Sequence, residues 1–242
     1  MPIANTMNLH KKVSARGFTL MELAIVLVII GLLVGGVVAG SAIIRNSEIR
    51  ASIAQIIEYK TAIDSFEDTF SALPGDITNA TSIWAAAAGD GDGDRIIQWS
   101  TEGFLAWNHL GLSNLIPGSF TGTAVAGGAA VDTNVPRMKY PPNTGISFLY
   151  INTAAGYPTL WWGNQSIGNT LIWGIAQAGN VTGGAGLPPA DAMDIDRKMD
   201  DGLPDFGKVQ SNNNTACTTA AASPAQYAPA NTNPLCILTI RF

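Results

Sequence analysis

The chain has 242 residues, 47% of them hydrophobic and 13% charged, a balance that excludes an intrinsically disordered tail. Its formal charge is −5, yet Lys11, Lys12 and Arg16 stand in an acid-free stretch of 17 residues, and beyond it 10 basic side chains face 18 acidic ones, net −8. A body of that sign repels phosphate, which disfavours non-specific binding of nucleic acid.

The first element is a polar, basic prefix, residues 1–17, and an apolar run follows at once. Residues 18–44 hold a single ionisable side chain, Glu22, and are long enough to cross a bilayer once as a helix. A purely cytosolic enzyme is therefore disfavoured. The bases before the run place the N-terminus in the cytoplasm and send everything beyond Arg45 across the membrane. No clean small-x-small cleavage site closes the run, although Ala39-Gly40-Ser41-Ala42 keeps an ordinary secretory signal open as an alternative. An acid at Glu22 is costly inside an apolar span. It is either an interfacial residue near a helix start or one with a defined partner.

Gly17-Phe18-Thr19-Leu20-Met21-Glu22-Leu23, after a basic leader and before an unbroken apolar stretch, closely resembles the cleavage and methylation site of type IV prepilins, including the pseudopilins of type II secretion. The resemblance covers residues 1 to about 50. It implies cleavage between Gly17 and Phe18 by an inner-membrane prepilin peptidase, and N-methylation of Phe18 by the same enzyme. Glu22 would then pair with the Phe18 amine of a neighbouring subunit during assembly. The implied partners are other copies of the chain, other pilins or pseudopilins, the inner membrane, and an assembly platform with a cytoplasmic ATPase. The implied function is that of a filament subunit. The alternatives are a secretion pseudopilin, a minor, adhesive or DNA-uptake pilin, and a membrane-anchored periplasmic protein that never polymerises.

Beyond Ser41 the pattern turns amphipathic. Ile49, Ile53, Ile56, Ile63, Phe66, Phe70 and Leu73 recur at steps of three, four or seven, and most charges lie on other faces. One helix is expected over 18–73, stopped by Pro74-Gly75, with 18–44 spanning the membrane and 45–73 amphipathic. Gly31, Gly35, Gly36 and Gly40 suit either close helix packing or local melting.

Residues 74–242 read as an extracytoplasmic, β-rich head. Strands are expected at 145–151, 170–175 and 235–240, and a short helix over 101–116. The fold class is α+β: a long N-terminal helix packed on a C-terminal antiparallel sheet, which is also the pilin plan. Two acidic segments are candidate calcium loops, Asp90, Asp92 and Asp94 in one and Asp191, Asp194 and Asp196, clustered with Asp200 and Asp201, in the other. The first departs from an EF-hand, with Arg95 where glycine is needed, and a solvated acidic turn is its alternative. Arg197 and Lys198 offer the second internal ion pairs instead. No cofactor is required by the sequence.

Cys217 and Cys236 are the only cysteines, and no metal-ligand spacing or nearby histidine accompanies them. In an oxidising compartment they would pair, and pilins commonly close a C-terminal loop in this way. Trp84, Trp99, Trp107, Trp161, Trp162 and Trp173 suit either a core or an adhesive face. Catalysis finds little support: His109 is the one histidine beyond the leader, and there is no nucleophile elbow, His-Glu-x-x-His or phosphate loop. Gly183-Gly184-Ala185-Gly186 reads as a flexible turn.

Overall fold

A computed structural model describes residues 17–85, 88–124, 126–152, 168–212 and 214–242. Trp161, Trp162 and the leader up to Arg16 lie outside them. The chain divides into two units, Met1–Ile44 and Arg45–Phe242.

Helix α1 runs unbroken over Leu20–Phe70, close to the span that the hydrophobic pattern predicts. In the first unit its large apolar side chains, from Leu20 to Ile44, are about half exposed or more wherever described. The helix stays regular through Gly31, Gly35, Gly36 and Gly40, and a methyl group added at any of them would meet open space. In the second unit the expected face is the buried one. Ile49, Ile56, Ile63 and Phe66 are at most 1% exposed, with Ile53 and Phe70 packed at the margin. Ser71, in the left-handed region at φ 54°, ends the helix before Pro74 does.

Gly75 follows at φ 89°, and a Cβ there would collide with the Glu102 carbonyl of helix α3 (Glu102–Leu112). Only glycine lets the turn after α1 approach α3 this closely. Helix α3 carries Phe104, Trp107 and Leu110 into the core. The Trp107 ring lies 4.9 Å from Tyr59 of α1 and 4.7 Å from Phe148 of strand β1 (Thr144–Ile151), so one aromatic chain joins stalk, helix and sheet.

The sheet has the order β1-β2-β4-β3, with β2 at Gly168–Ile175, β3 at Val209–Ser211 and β4 at Leu238–Arg241, all antiparallel. Alternation is kept, but both faces are apolar. Ile146, Phe148, Leu171, Trp173, Leu238 and Ile240 join the main core, whereas Leu149, Ile151, Ile172 and Ile237 form a second cluster with Val181 and, at its edge, Trp99. A sheet covered on both sides reads as continuous hydrophobic runs rather than polar-apolar alternation.

Three elements differ from the sequence expectation. Helix α2 (Ala80–Trp84) and strand β3 are too short to show a period. Helix α4 (Pro189–Met199) occupies the segment read as an acidic loop, and it buries Ala192 and Ile195. The glycine run is not a free turn. Gly184 and Ile175 exchange both backbone hydrogen bonds, at 2.7 and 2.9 Å. A Cβ on Gly174 would run into the Thr182 and Gly184 carbonyls, so this close approach needs glycine. The last strand also starts later than expected, because Cys236 pairs instead with Leu187.

Cys217 and Cys236 form a disulfide between fully buried residues, Cα atoms 5.1 Å apart, across a sequence separation of 19. Chain-entropy reasoning assigns such a loop about 3 kcal/mol. Replacing both cysteines with alanine is expected to lower unfolding free energy by that amount in denaturant titrations of the full chain in detergent. A loss below about 1 kcal/mol would show that the denatured loop is already constrained.

Candidate functional site

Gly17, Phe18 and Thr19 precede α1 and are exposed, Phe18 at 89%. Thr19 starts the helix: its carbonyl accepts the Leu23 N–H at 3.2 Å. Its hydroxyl oxygen accepts the Glu22 N–H at 3.2 Å, and Glu22 Oε2 accepts the Thr19 N–H and hydroxyl, both at 2.8 Å. This is a reciprocal capping box, in which a threonine and a glutamate three residues on satisfy each other's orphan donors. The sequence reading singled out Glu22 for its charge and missed its role as a cap, although Thr19-x-x-Glu22 is the legible signal. The Gly17–Phe18 bond thus lies just outside regular structure, while the helix begins abruptly two residues later. Among the described residues, α1 is the one helix long and apolar enough to cross a membrane.

The first acidic segment folds around a buried pair of acids. Carboxylate oxygens of Asp76, Asp92, Asp94 and Glu102 all lie within 4.8 Å of one another. Asp76, 1% exposed, accepts the Gly93 N–H at 2.7 Å and the Arg95 N–H at 2.8 Å. Glu102, 3% exposed, accepts the Asp92 N–H at 3.0 Å and the Gln98 N–H at 3.1 Å. Burial pushes Glu102 up to about 6 and also raises Asp76, against the pull of those donors. Asp92 and Asp94 therefore meet two acids distant in sequence. Asp90 points elsewhere, accepting the Thr81 N–H at 2.7 Å and the Thr81 hydroxyl at 2.8 Å, which holds its carboxyl below the ordinary value.

The second segment does not gather its three predicted acids, because α4 spreads them around its axis. Asp191 and Asp196 are five residues apart, which turns them about 140° from each other on a helix. Asp191 pairs with Arg45 at 2.5 Å and accepts the Tyr140 hydroxyl at 2.6 Å, whereas Asp194 pairs with Lys198 one turn on. Asp196, fully buried, accepts the Tyr227 hydroxyl at 2.9 Å and the Gly202 N–H at 3.1 Å. Of the five clustered aspartates, its carboxylate lies within 4.8 Å of those of Asp200 and Asp201, and burial raises it to about 7. Both clusters present oxygen donors of the kind a hard cation takes.

His109 is a buried bracket. Nδ1 accepts the Gly75 N–H at 3.0 Å, so Nε2 carries the proton and donates to the Ala88 carbonyl at 2.9 Å. Burial lowers its pKa, and the ring stacks on Phe66 and Trp84. Trp107 and Trp173 are fully buried and Trp84 packs on Phe70, so these three belong to the core rather than to an adhesive face.

Among protein families, the prokaryotic N-terminal methylation motif matches residues 13–38. No curated protein and no solved structure shows significant similarity to the chain.

Proposed function

We propose that this chain, type IV pilin-like in its methylation motif and in its long apolar helix followed by an antiparallel sheet, is a structural subunit of a type IV pilus-like filament. Prepilin peptidase hydrolyses the Gly17–Phe18 bond, leaving the Gly17 carboxylate on residues 1–17 and an amine on Phe18 that then receives one methyl group. The mature chain holds residues 18–44 in the inner membrane, with the amphipathic stretch 45–73 and the head 74–242 on the periplasmic side. An assembly platform driven by a cytoplasmic ATPase then packs these helices among copies of the same chain and other pilins, in the periplasm or at the cell surface.

The observation that carries this reading is the match across residues 13–38, which brackets an exposed Gly17–Phe18 bond and the start of an apolar helix. Bare apolar side chains on that helix require either lipid or other helices around them. Lipid alone suits an anchor; extraction into a filament needs the second. Intact-mass analysis of the native polypeptide is expected to show loss of residues 1–17 and a gain of one methyl group, and immunogold labelling is expected to mark fibres. A chain that begins at Met1 would overturn the reading, and a processed chain found only as a dispersed monomer would reduce it to an anchor.

A further inference from the structure

Beside the amphipathic half of α1 runs a groove of about 410 Å³, lined by Ile57, Glu58, Thr61 and Ser65 of the helix and by Leu115 and Pro117 of the loop after α3, among others. Ile57, Thr61 and Ser65 stand one turn apart on a single stripe. Ile57 is 56% exposed. The two hydroxyls donate to the Ile57 and Thr61 carbonyls at 2.9 and 2.7 Å, so an apolar occupant would strand neither donor. Glu58, exposed, gives the groove a negative charge.

The loop from α4 to β3 has the complementary character. Leu203 and Phe206 are 39% and 44% exposed, and Lys208, two residues on, is exposed as well. The loop is pinned from behind: buried Asp205 accepts the Ala225 N–H at 3.0 Å, and the Pro204 carbonyl accepts the Ser211 N–H at 2.9 Å. Among the described residues neither Glu58 nor Lys208 has an ion-pair partner. Asp201, exposed on the same loop, has a matching base in Lys139, exposed near Gln55, one turn before Glu58.

Groove and loop lie at opposite edges of the head. The groove adjoins the end of α3, whose Trp107 packs on Phe148 of edge strand β1. The loop leads into β3, the other edge, where the Arg241 N–H donates to the Lys208 carbonyl at 2.8 Å. Lys60, on the other flank of α1 from the groove, donates to the Arg241 carbonyl at 3.0 Å. A copy therefore cannot fill its own groove.

We infer that the groove receives the 203–208 loop of a second copy of this chain, with Leu203 and Phe206 covering Ile57 and Leu115 and with Lys208 pairing with Glu58. Each copy offers one loop and one groove, so the contact is head-to-tail, and the series runs on as an open helix unless its rotation closes a ring. The contact rests on the filament reading and gives that filament a lock between heads, outside the membrane.

Cysteine crosslinking of the full chain in cells tests it, with Thr61→Cys and Phe206→Cys, both at exposed positions that leave the core intact. Under a mild oxidant a ladder of multimers is expected from the chain carrying both substitutions, a single dimer from co-expressed single variants, and no dimer from either single variant alone. Glu58→Lys and Lys208→Glu are each expected to weaken the ladder severalfold by setting like charges together, and the chain carrying both to regain it. Dimers from one single variant alone, a crosslink only to a different protein, no ladder, or no regain in the charge-swapped chain would overturn the inference. Sheared fibres without a ladder would overturn this contact and leave the filament reading standing; a ladder in membranes that yield no fibres would support the contact and count against the filament.

Discussion

Replacing Glu22 with alanine is expected to leave the chain processed and methylated but to abolish filament yield. Once the bond after Gly17 is cut, the Phe18 amine is a cation at the tip of an apolar helix. Inside a bundle of such helices an unpaired charge costs several kcal/mol, more than the pair itself contributes, so removing the Glu22 carboxylate is more damaging than its net stabilisation suggests. The capping box adds a second loss. Glu22 holds the Thr19 N–H and hydroxyl, and a lost N-terminal cap costs about 1 kcal/mol. Glu22→Gln separates the two, because a glutamine oxygen still accepts the Thr19 N–H while carrying no charge. If charge pairing drives assembly, both variants are processed and neither yields fibres. Wild-type fibre yield from Glu22→Gln would assign the role to the cap, and wild-type yield from Glu22→Ala would dismiss Glu22 from assembly. Processing is scored by mass and yield by sheared-fibre recovery from the same cells.

Much of the fold was legible because long elements repeat their signal. Ile49, Ile56, Ile63 and Phe66 announce a buried face through spacing alone, and β1 and β2 announce themselves through apolar runs of strand length. What was hidden depends on contacts distant in sequence. Asp76 and Glu102 join Asp92 and Asp94 only because the turn at Gly75 lays the loop against α3. The acidic segment 191–201 looked like a loop because its five aspartates overshadow a sparse apolar face of Ala192 and Ile195, and because Pro189, which opens α4, resembles a breaker as much as a first helical residue. The N-terminal motif was legible because Gly17, Phe18 and Glu22 lie within six positions of one another, and the family match falls on the same stretch; the Thr19–Glu22 cap was missed there, although its signal is as local. Nothing local, by contrast, marks Asp205 as buried; Ala225, its donor, lies 20 residues away.

The largest stability effect outside the membrane is expected from Asp196. A folded value of about 7 against an ordinary 3.8 means that the folded head favours the protonated acid. That contribution is present in full below about pH 3.8 and is lost as pH rises through 7, a difference on the order of 4 kcal/mol between the two limits. Glu102, raised to about 6, and Asp76 add losses of the same sign as pH rises. Asp196→Asn removes the titration while keeping the shape. The amide oxygen can accept the Gly202 N–H, and the amide nitrogen can donate to the Tyr227 oxygen once that hydroxyl turns its own hydrogen away. The variant should therefore match the wild type near pH 4, exceed it above pH 7, and show a shallower fall between. Tyr227→Phe should act oppositely on the titration, since losing a donor that lowers the acid's pKa moves the wild-type transition to still higher pH. Denaturant unfolding of the full chain in detergent with a chelator, repeated from pH 4 to 8, reads both. An Asp196→Asn curve parallel to the wild type would mean that the buried acid is already ionised in the folded head, with Asp200 and Asp201 beside it tolerated at no cost.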